Sequence, residues 1–372
     1  MSWTYAPAAA GGFLRGATSG SLPRLLRFTP SADCAQVFRI MIALNELCPH
    51  LAPELEQVAA EIAAMAAGGG GAVGEAVSDA VRQVATTPGK RLRPGMVLLA
   101  ARACGYDGPR CIVPAAVIEV LHVVSLVHDD VMDGADTRRG VPAARTLWGN
   151  KMAVLLGDHL LAGALKRLAQ TDDHEVMISV ADAAMEMCRG QIQEITSPGR
   201  ELTEAQYLGI VSAKTGSLFA ASARLGAIAA GAGKTAKTAL DVFGRRFGIA
   251  YQIADDILDL TASAEDTGKS VARDLAQGHF TLPVIYSLRA GAPAQRAELL
   301  AALDGAHARE ADLARVRQLI ADTGGFEYAS ERVQNLADEA ADQLMVLPES
   351  PARECLAAMA RRGFATPATA GS

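Results

Sequence analysis

Six aspartates carry the strongest chemical signal in this sequence of 372 residues. Asp129, Asp130 and Asp133 close the apolar run that begins Val123-Val124-Ser125, and Asp255, Asp256 and Asp259 close a second run that begins Tyr251-Gln252-Ile253. In each group the outer carboxylates are four residues apart, which on a helix of 3.6 residues per turn puts them on one face. Like charges at that spacing repel, and carboxylates in apolar company are expensive to desolvate. A single D-D-x-x-D reads equally well as a solvated helix end. Two copies inside apolar helices argue instead for a cation that both share. Carboxylate-only ligation selects hard cations, and magnesium takes a few carboxylates while water and phosphate oxygens fill its remaining positions. Asp129, Asp133, Asp255 and Asp259 are therefore the candidate metal ligands, and a diphosphate is the expected partner.

Basic residues that could hold such an anion lie near these runs or at helix starts. Lys90, Arg91 and Arg93 in Gly89-Lys90-Arg91-Leu92-Arg93-Pro94 stand at the start of a helix, where the dipole and unpaired N–H groups also favour an anion. Taken alone, a solvated basic patch explains that cluster as well. Arg138-Arg139-Gly140 follows the first acidic run by a few residues and would sit at the rim of the same cleft, where guanidinium groups can grip phosphate in two-pronged fashion. Lys214-Thr215-Gly216 and Lys269 add donors, the latter ten residues past Asp259. His122 precedes Asp129 by two helical turns and shares its face, as a reader of phosphate or as a histidine satisfied in the core.

The elements that position these groups read as helices. Hydrophobic residues make up 50% of the chain but aromatics only 5%, the remainder being dominated by Ala, Leu and Val, which suits helices packed closely on helices. From Leu51 onward the apolar spacing is mostly helical, broken by Gly and Pro into about a dozen segments, with no internal repeat. This organisation gives an N-terminal extension over 1–50, a catalytic domain over 51–347, and a C-terminal helix and tail over 348–372. Residues 1–32 hold Arg15, Arg24 and Arg27 without an acid. Three readings of them stand side by side: a targeting-like arm, a flexible arm, or a start upstream of the true one at Met41. A net charge of −6 offers no general attraction to nucleic acid. Six scattered cysteines without a C-x-x-C pair signal neither zinc nor a disulfide framework, so a cytoplasmic, reducing location is expected. The apolar stretches read as broken by charge before the roughly 20 residues a membrane span needs.

Taken in order, these motifs resemble those of the trans-isoprenyl (polyprenyl) diphosphate synthases over about residues 54 to 345. The resemblance implies an all-α bundle of the isoprenoid synthase type around a central cleft. It implies a catalytic role for all six aspartates, with Lys90, Arg93, His122 and Arg139 at isopentenyl diphosphate and Arg91 among the substrate-binding residues. Arg138, Lys214, Thr215, Gln252 and Lys269 would hold the allylic partner, farnesyl or geranylgeranyl diphosphate, with three Mg2+ ions completing the site. Two departures stand out: Lys269-Ser270-Val271-Ala272-Arg273-Asp274-Leu275 lacks the family's Pro and Gly, and His279 replaces the lysine of a Gly-Lys-x-Thr pattern.

The implied chemistry is ionisation of the allylic diphosphate, attack by the alkene of isopentenyl diphosphate, and loss of a proton, which the released diphosphate can accept without a side-chain base. Family members that stop at C15 or C20 commonly carry an aromatic residue four or five positions before the first motif. Val124 and Ser125 occupy those positions here, with Leu121 and Ile118 deeper on the same helix. A linear product of about C30 to C50 is expected, against the alternative of geranylgeranyl diphosphate at C20. A terpene cyclase would need Ser or Thr at Asp259 and Glu at Ser263, and a regulatory subunit would be expected to have lost an aspartate motif. The resemblance and the amount of apolar helical surface also imply a homodimer, and a long product allows loose membrane association.

Overall fold

The computed structural model describes residues 48–66, 90–138, 141–197, 202–261, 279–305, 310–362 and 364. The chain runs as α1 (Ala52–Ala66), α2 (Leu92–Ala103), α3 (Ile112–Met132), a hairpin of β1 (Thr137–Arg138) and β2 (Val141–Pro142), α4 (Ala144–Ala169), α5 (His174–Thr196) and α6 (Glu204–Val211). A π-helical turn (Ser212–Gly216) joins α6 to α7 (Ser217–Ala229). There follow α8 (Lys234–Thr261), α9 (Leu282–Ala290), α10 (Pro293–Gly305), α11 (Glu310–Asp322), α12 (Gly325–Gln343) and α13 (Pro351–Arg362). The strands pair antiparallel, Thr137 opposite Pro142.

The middle of the bundle is α7, which packs on α8, α2, α5 and α3. Its sequence is mostly Ala with Ser and Gly, and every residue but Arg224 is buried. Small side chains let the neighbouring backbones come close. A Cβ on Gly226 would stand 2.4 Å from the Val97 carbonyl of α2, and one on Gly244 of α8 would stand 2.2 Å from that of Phe219. A ring cluster of Phe219, Phe243, Phe247 and Tyr251 fills the α7–α8 seam, and Phe364 after α13 adds its ring 5.4 Å from Phe247.

α3 is apolar over most of its surface, as a helix packed among others must be. It packs against α4, α1, α2 and α7. Charge does not break its run soon enough: Pro109–Met132 is long and apolar enough to cross a membrane by length and composition, contrary to the expectation from sequence. Burial in the centre of the bundle explains that composition, since 61% of the window is enclosed by the other helices.

Candidate active site

The two acidic runs end helices that open on one cleft. Asp129 and Asp130 occupy the last turn of α3, and Asp133 is its C-cap, with its N–H donating to the Asp129 carbonyl at 2.8 Å. Gln252, Asp255, Asp256 and Asp259 lie in the last turns of α8. A cavity of about 120 Å³ is lined by Asp133 from α3, by Gln252 and Asp256 from α8, and by Lys214, Thr215 and His279. The ends of α3 and α8 therefore border one cavity, through Asp133 on one side and Gln252 and Asp256 on the other.

Within each triplet the aspartates divide the work. Asp130 is 3% exposed and accepts from Nε of Arg138 at 2.9 Å through both oxygens, while Nη2 of Arg138 stands 2.7 Å from Oδ1. Asp256 is 4% exposed; it accepts from Tyr207 Oη at 2.5 Å and from Gln252 Nε2 at 2.8 Å. Gln252 in turn accepts from the Thr215 hydroxyl at 2.9 Å. The middle aspartates thus brace the cleft wall through these bonds.

Lys214 and Thr215 stand on the π-helical turn, a distortion that recurs at functional sites because it redirects side chains from an otherwise regular helix. Gly190 of α5 allows this turn to approach, since a Cβ there would lie 2.5 Å from the Lys214 nitrogen. The Lys214 ammonium pairs with Glu194 near the end of α5, a residue whose sequence neighbourhood carried no sign of this role. Burial works against that ammonium, but Glu194, Asp129 and Asp133 outweigh it, so Lys214 holds its proton more tightly than an ordinary lysine. Asp129 feels the opposite balance. Burial pushes its carboxyl up to about 6; Lys214 and Arg138 oppose the rise, and Asp133 and Glu194 add to it.

The other basic residues have separate positions. The Arg93 guanidinium lies over the Phe219 ring, 4.2 Å from its centroid, an arrangement that holds the cation in place. Arg91, in the left-handed region at φ +46°, turns its side chain to the α1–α2 junction and donates to the Leu55 carbonyl at 3.3 Å. Lys90 is exposed, and His122 is half-buried on α3. Arg139, Lys269 and residues 270–275 lie outside the described residues. Val124, Leu121 and Ile118 are all buried, and the half-buried Ser125 turns its hydroxyl back to the His122 carbonyl at 2.8 Å, so its polar atom is satisfied within α3.

The donor set fits a divalent ion. It is made of carboxylates alone, and burial raises the Asp129 carboxyl, a cost that a bound cation would offset. Among the described residues no three His, Cys, Asp or Glu side chains converge on one point, as a fully protein-ligated ion would need.

Residues 75–321 match the polyprenyl synthetase family model. The octaprenyl diphosphate synthase of Haemophilus influenzae is 35% identical over 273 residues, covering 73% of this chain and 83% of that protein. Heptaprenyl diphosphate synthase component 2 of Geobacillus stearothermophilus is 39% identical over 269 residues, covering 72% and 83%. Among solved structures, a polyprenyl synthase from Caulobacter crescentus complexed with calcium and isoprenyl diphosphate superposes with a TM-score of 0.80 at 31% identity, covering 86% of this chain and 97% of that one. Fold and cleft together define an all-α prenyltransferase. The chain belongs to the polyprenyl synthetase family, as its motif order implied.

Proposed function

We propose that this polyprenyl diphosphate synthase extends farnesyl or geranylgeranyl diphosphate with isopentenyl diphosphate to a linear product of about C30 to C50, using three Mg2+ ions. The observation that carries the reading is the single cleft in which Asp133, Lys214, Gln252 and Asp256 meet. Bound there, the metal supplies neutralisation of charge on the departing diphosphate. The chain's own part is to present Asp129, Asp133, Asp255 and Asp259 from two helix ends and to hold Lys214 charged beside them. The apolar walls exclude water from the allylic cation.

The length assignment rests on side-chain volume. At about 1.5 Å rise per residue, Val124 and Ser125 lie roughly one turn below the acids, and Leu121 and Ile118 about two and three turns below. Neither Val124 nor Ser125 fills the space of a phenyl ring. Relatives named as octaprenyl and heptaprenyl synthases agree with a product in this range. Incubation with farnesyl diphosphate and excess isopentenyl diphosphate, followed by sizing of the products, tests it: C30 to C50 is expected, and a sharp stop at C20 would refute the assignment.

A homodimer belongs to the same proposal. Leu155 and Leu165 of α4 and Ile178, Met185, Ile192 and Ile195 of α5 are exposed. Ile178, Met185 and Ile192 recur every seven residues and form one stripe, the pattern of a helix face that another helix covers. Light scattering that shows a monomer at working concentration would count against it. The cytoplasm, with loose membrane association through the product, is the location we assign.

A further inference from the structure

α9 begins at the cleft, and its N-cap, Thr281, lines the same cavity as Lys214, Thr215, Gln252 and His279. A threonine at an N-cap ordinarily turns its hydroxyl back to accept the N–H of the second or third helical residue. Thr281 does not, although its backbone is extended as an N-cap's should be. Its side chain makes no capping bond, the residue is 5% exposed, and its Oγ1 is buried without a hydrogen-bond partner. A buried hydroxyl left unpaired costs free energy, so a position that keeps one at the wall of a polar cavity calls for a ligand. The helix behind it runs for nine residues, with Pro283 in its first turn. Its remaining first-turn N–H groups and the positive end of its dipole favour negative charge.

We propose that Thr281 Oγ1 and the N-terminus of α9 form an uncharged anion subsite that takes the diphosphate group of the allylic substrate. The inference rests on the prenyl-transfer reading of the cleft and adds to it a donor that carries no charge. Lys214 lines the same cavity and supplies attraction that is strong but weakly directional. The Thr281 hydroxyl supplies direction: it donates to one phosphate oxygen and so fixes how the diphosphate sits relative to the acids of α3 and α8. Satisfying it on binding also favours the diphosphate-bound state over a cleft filled with nothing that can accept its proton.

The test uses the full-length protein with Mg2+, inorganic pyrophosphate as the binding probe, and separate KM values for farnesyl and isopentenyl diphosphate. Thr281→Val, which keeps the shape and removes the hydroxyl, is expected to weaken pyrophosphate about tenfold and to raise the farnesyl diphosphate KM by a similar factor, with the isopentenyl diphosphate KM held within about twofold. Thr281→Ser should restore both to within about threefold of the parent. In the parent itself, pyrophosphate should slow amide hydrogen exchange in the first turn of α9, a readout that needs no variant to fold. A Val variant that binds pyrophosphate as the parent does, a loss that falls on isopentenyl diphosphate instead, or exchange in α9 that pyrophosphate leaves unchanged would overturn the subsite. A parent that condenses the substrates while Thr281→Val is indifferent sinks this inference alone; a parent that neither binds pyrophosphate nor condenses them sinks the prenyl-transfer reading with it.

Discussion

Arg138, in the hairpin that follows α3, grips the buried carboxylate of Asp130 in the helix it has just left, with Nη2 at 2.7 Å from Oδ1 and Nε at 2.9 Å from each oxygen. The pair locks the exit of the helix and so fixes the direction in which Asp129 and Asp133 point. Arg138→Ala would leave a buried charge without its partner. A stability loss of about 2–4 kcal/mol in denaturant titration is expected, with activity falling as well; a variant as stable as the parent would show that Arg138 serves substrate alone.

Tyr207→Phe tests the matching brace on the second triplet. Loss of the 2.5 Å bond to Asp256 should cost about 1–3 kcal/mol and lower kcat, because Asp256 anchors Gln252 and through it Thr215. Unchanged unfolding and turnover would remove Tyr207 from the account.

Gly190→Ala examines how closely α5 approaches the π-helical turn. The added carbon would meet backbone atoms of Ala213 and Lys214 at 2.5 to 3.0 Å, which cannot be relieved by turning a side chain. Turnover should fall at least about tenfold and the melting temperature should drop by several degrees, measured by product formation and calorimetry; parent-like values would mean that the turn yields without cost.

The raised Asp129 carboxyl makes metal binding depend on pH. Its folded value of about 6 lies above the ordinary 3.8, so between those values the metal-free folded protein binds more protons than the unfolded chain, and stability is lost as pH rises through that window. A cation needs the ionised form. Calorimetric Mg2+ titrations should show affinity rising with pH up to about 6 and levelling above it, with a proton released on binding only in the lower range. Affinity that is flat from pH 5 to 7 would contradict the burial of Asp129.

Val124→Phe should shorten the products if the tail passes down α3. A ring at that buried position would narrow the path one turn below the acids. Products no shorter than the parent's would move the tail elsewhere.

The placement of Asp133 at the cleft was legible in the sequence because the end of an apolar helix needs only helical geometry to present a face. Lys214 was legible for a similar reason, as a cation beside Thr and Gly in a helical run. Tyr207 and Asp256 are 49 residues apart, and Lys214 and Glu194 are 20 apart, so nothing local in the sequence announces either pair. Thr281 was visible only as part of the pattern containing His279, since an orphaned hydroxyl exists only once the chain around it is packed. The bond from Arg91 to the Leu55 carbonyl was not legible, because a basic run does not say which of its members a left-handed turn will point at a neighbouring helix. The charge count of α3 misled about its hydropathy because a central helix and a membrane-spanning one bury the same kind of surface.

The central claim is that two helix ends share one metal-dependent reaction, and condensation by purified Asp129→Ala and Asp255→Ala tests it most directly. With farnesyl diphosphate, isopentenyl diphosphate and Mg2+, each variant should lose at least about a hundredfold in turnover while its unfolding curve stays cooperative, and excess chelator should abolish the parent's activity. Near-parental turnover in either variant, or activity that survives the chelator, would contradict the account.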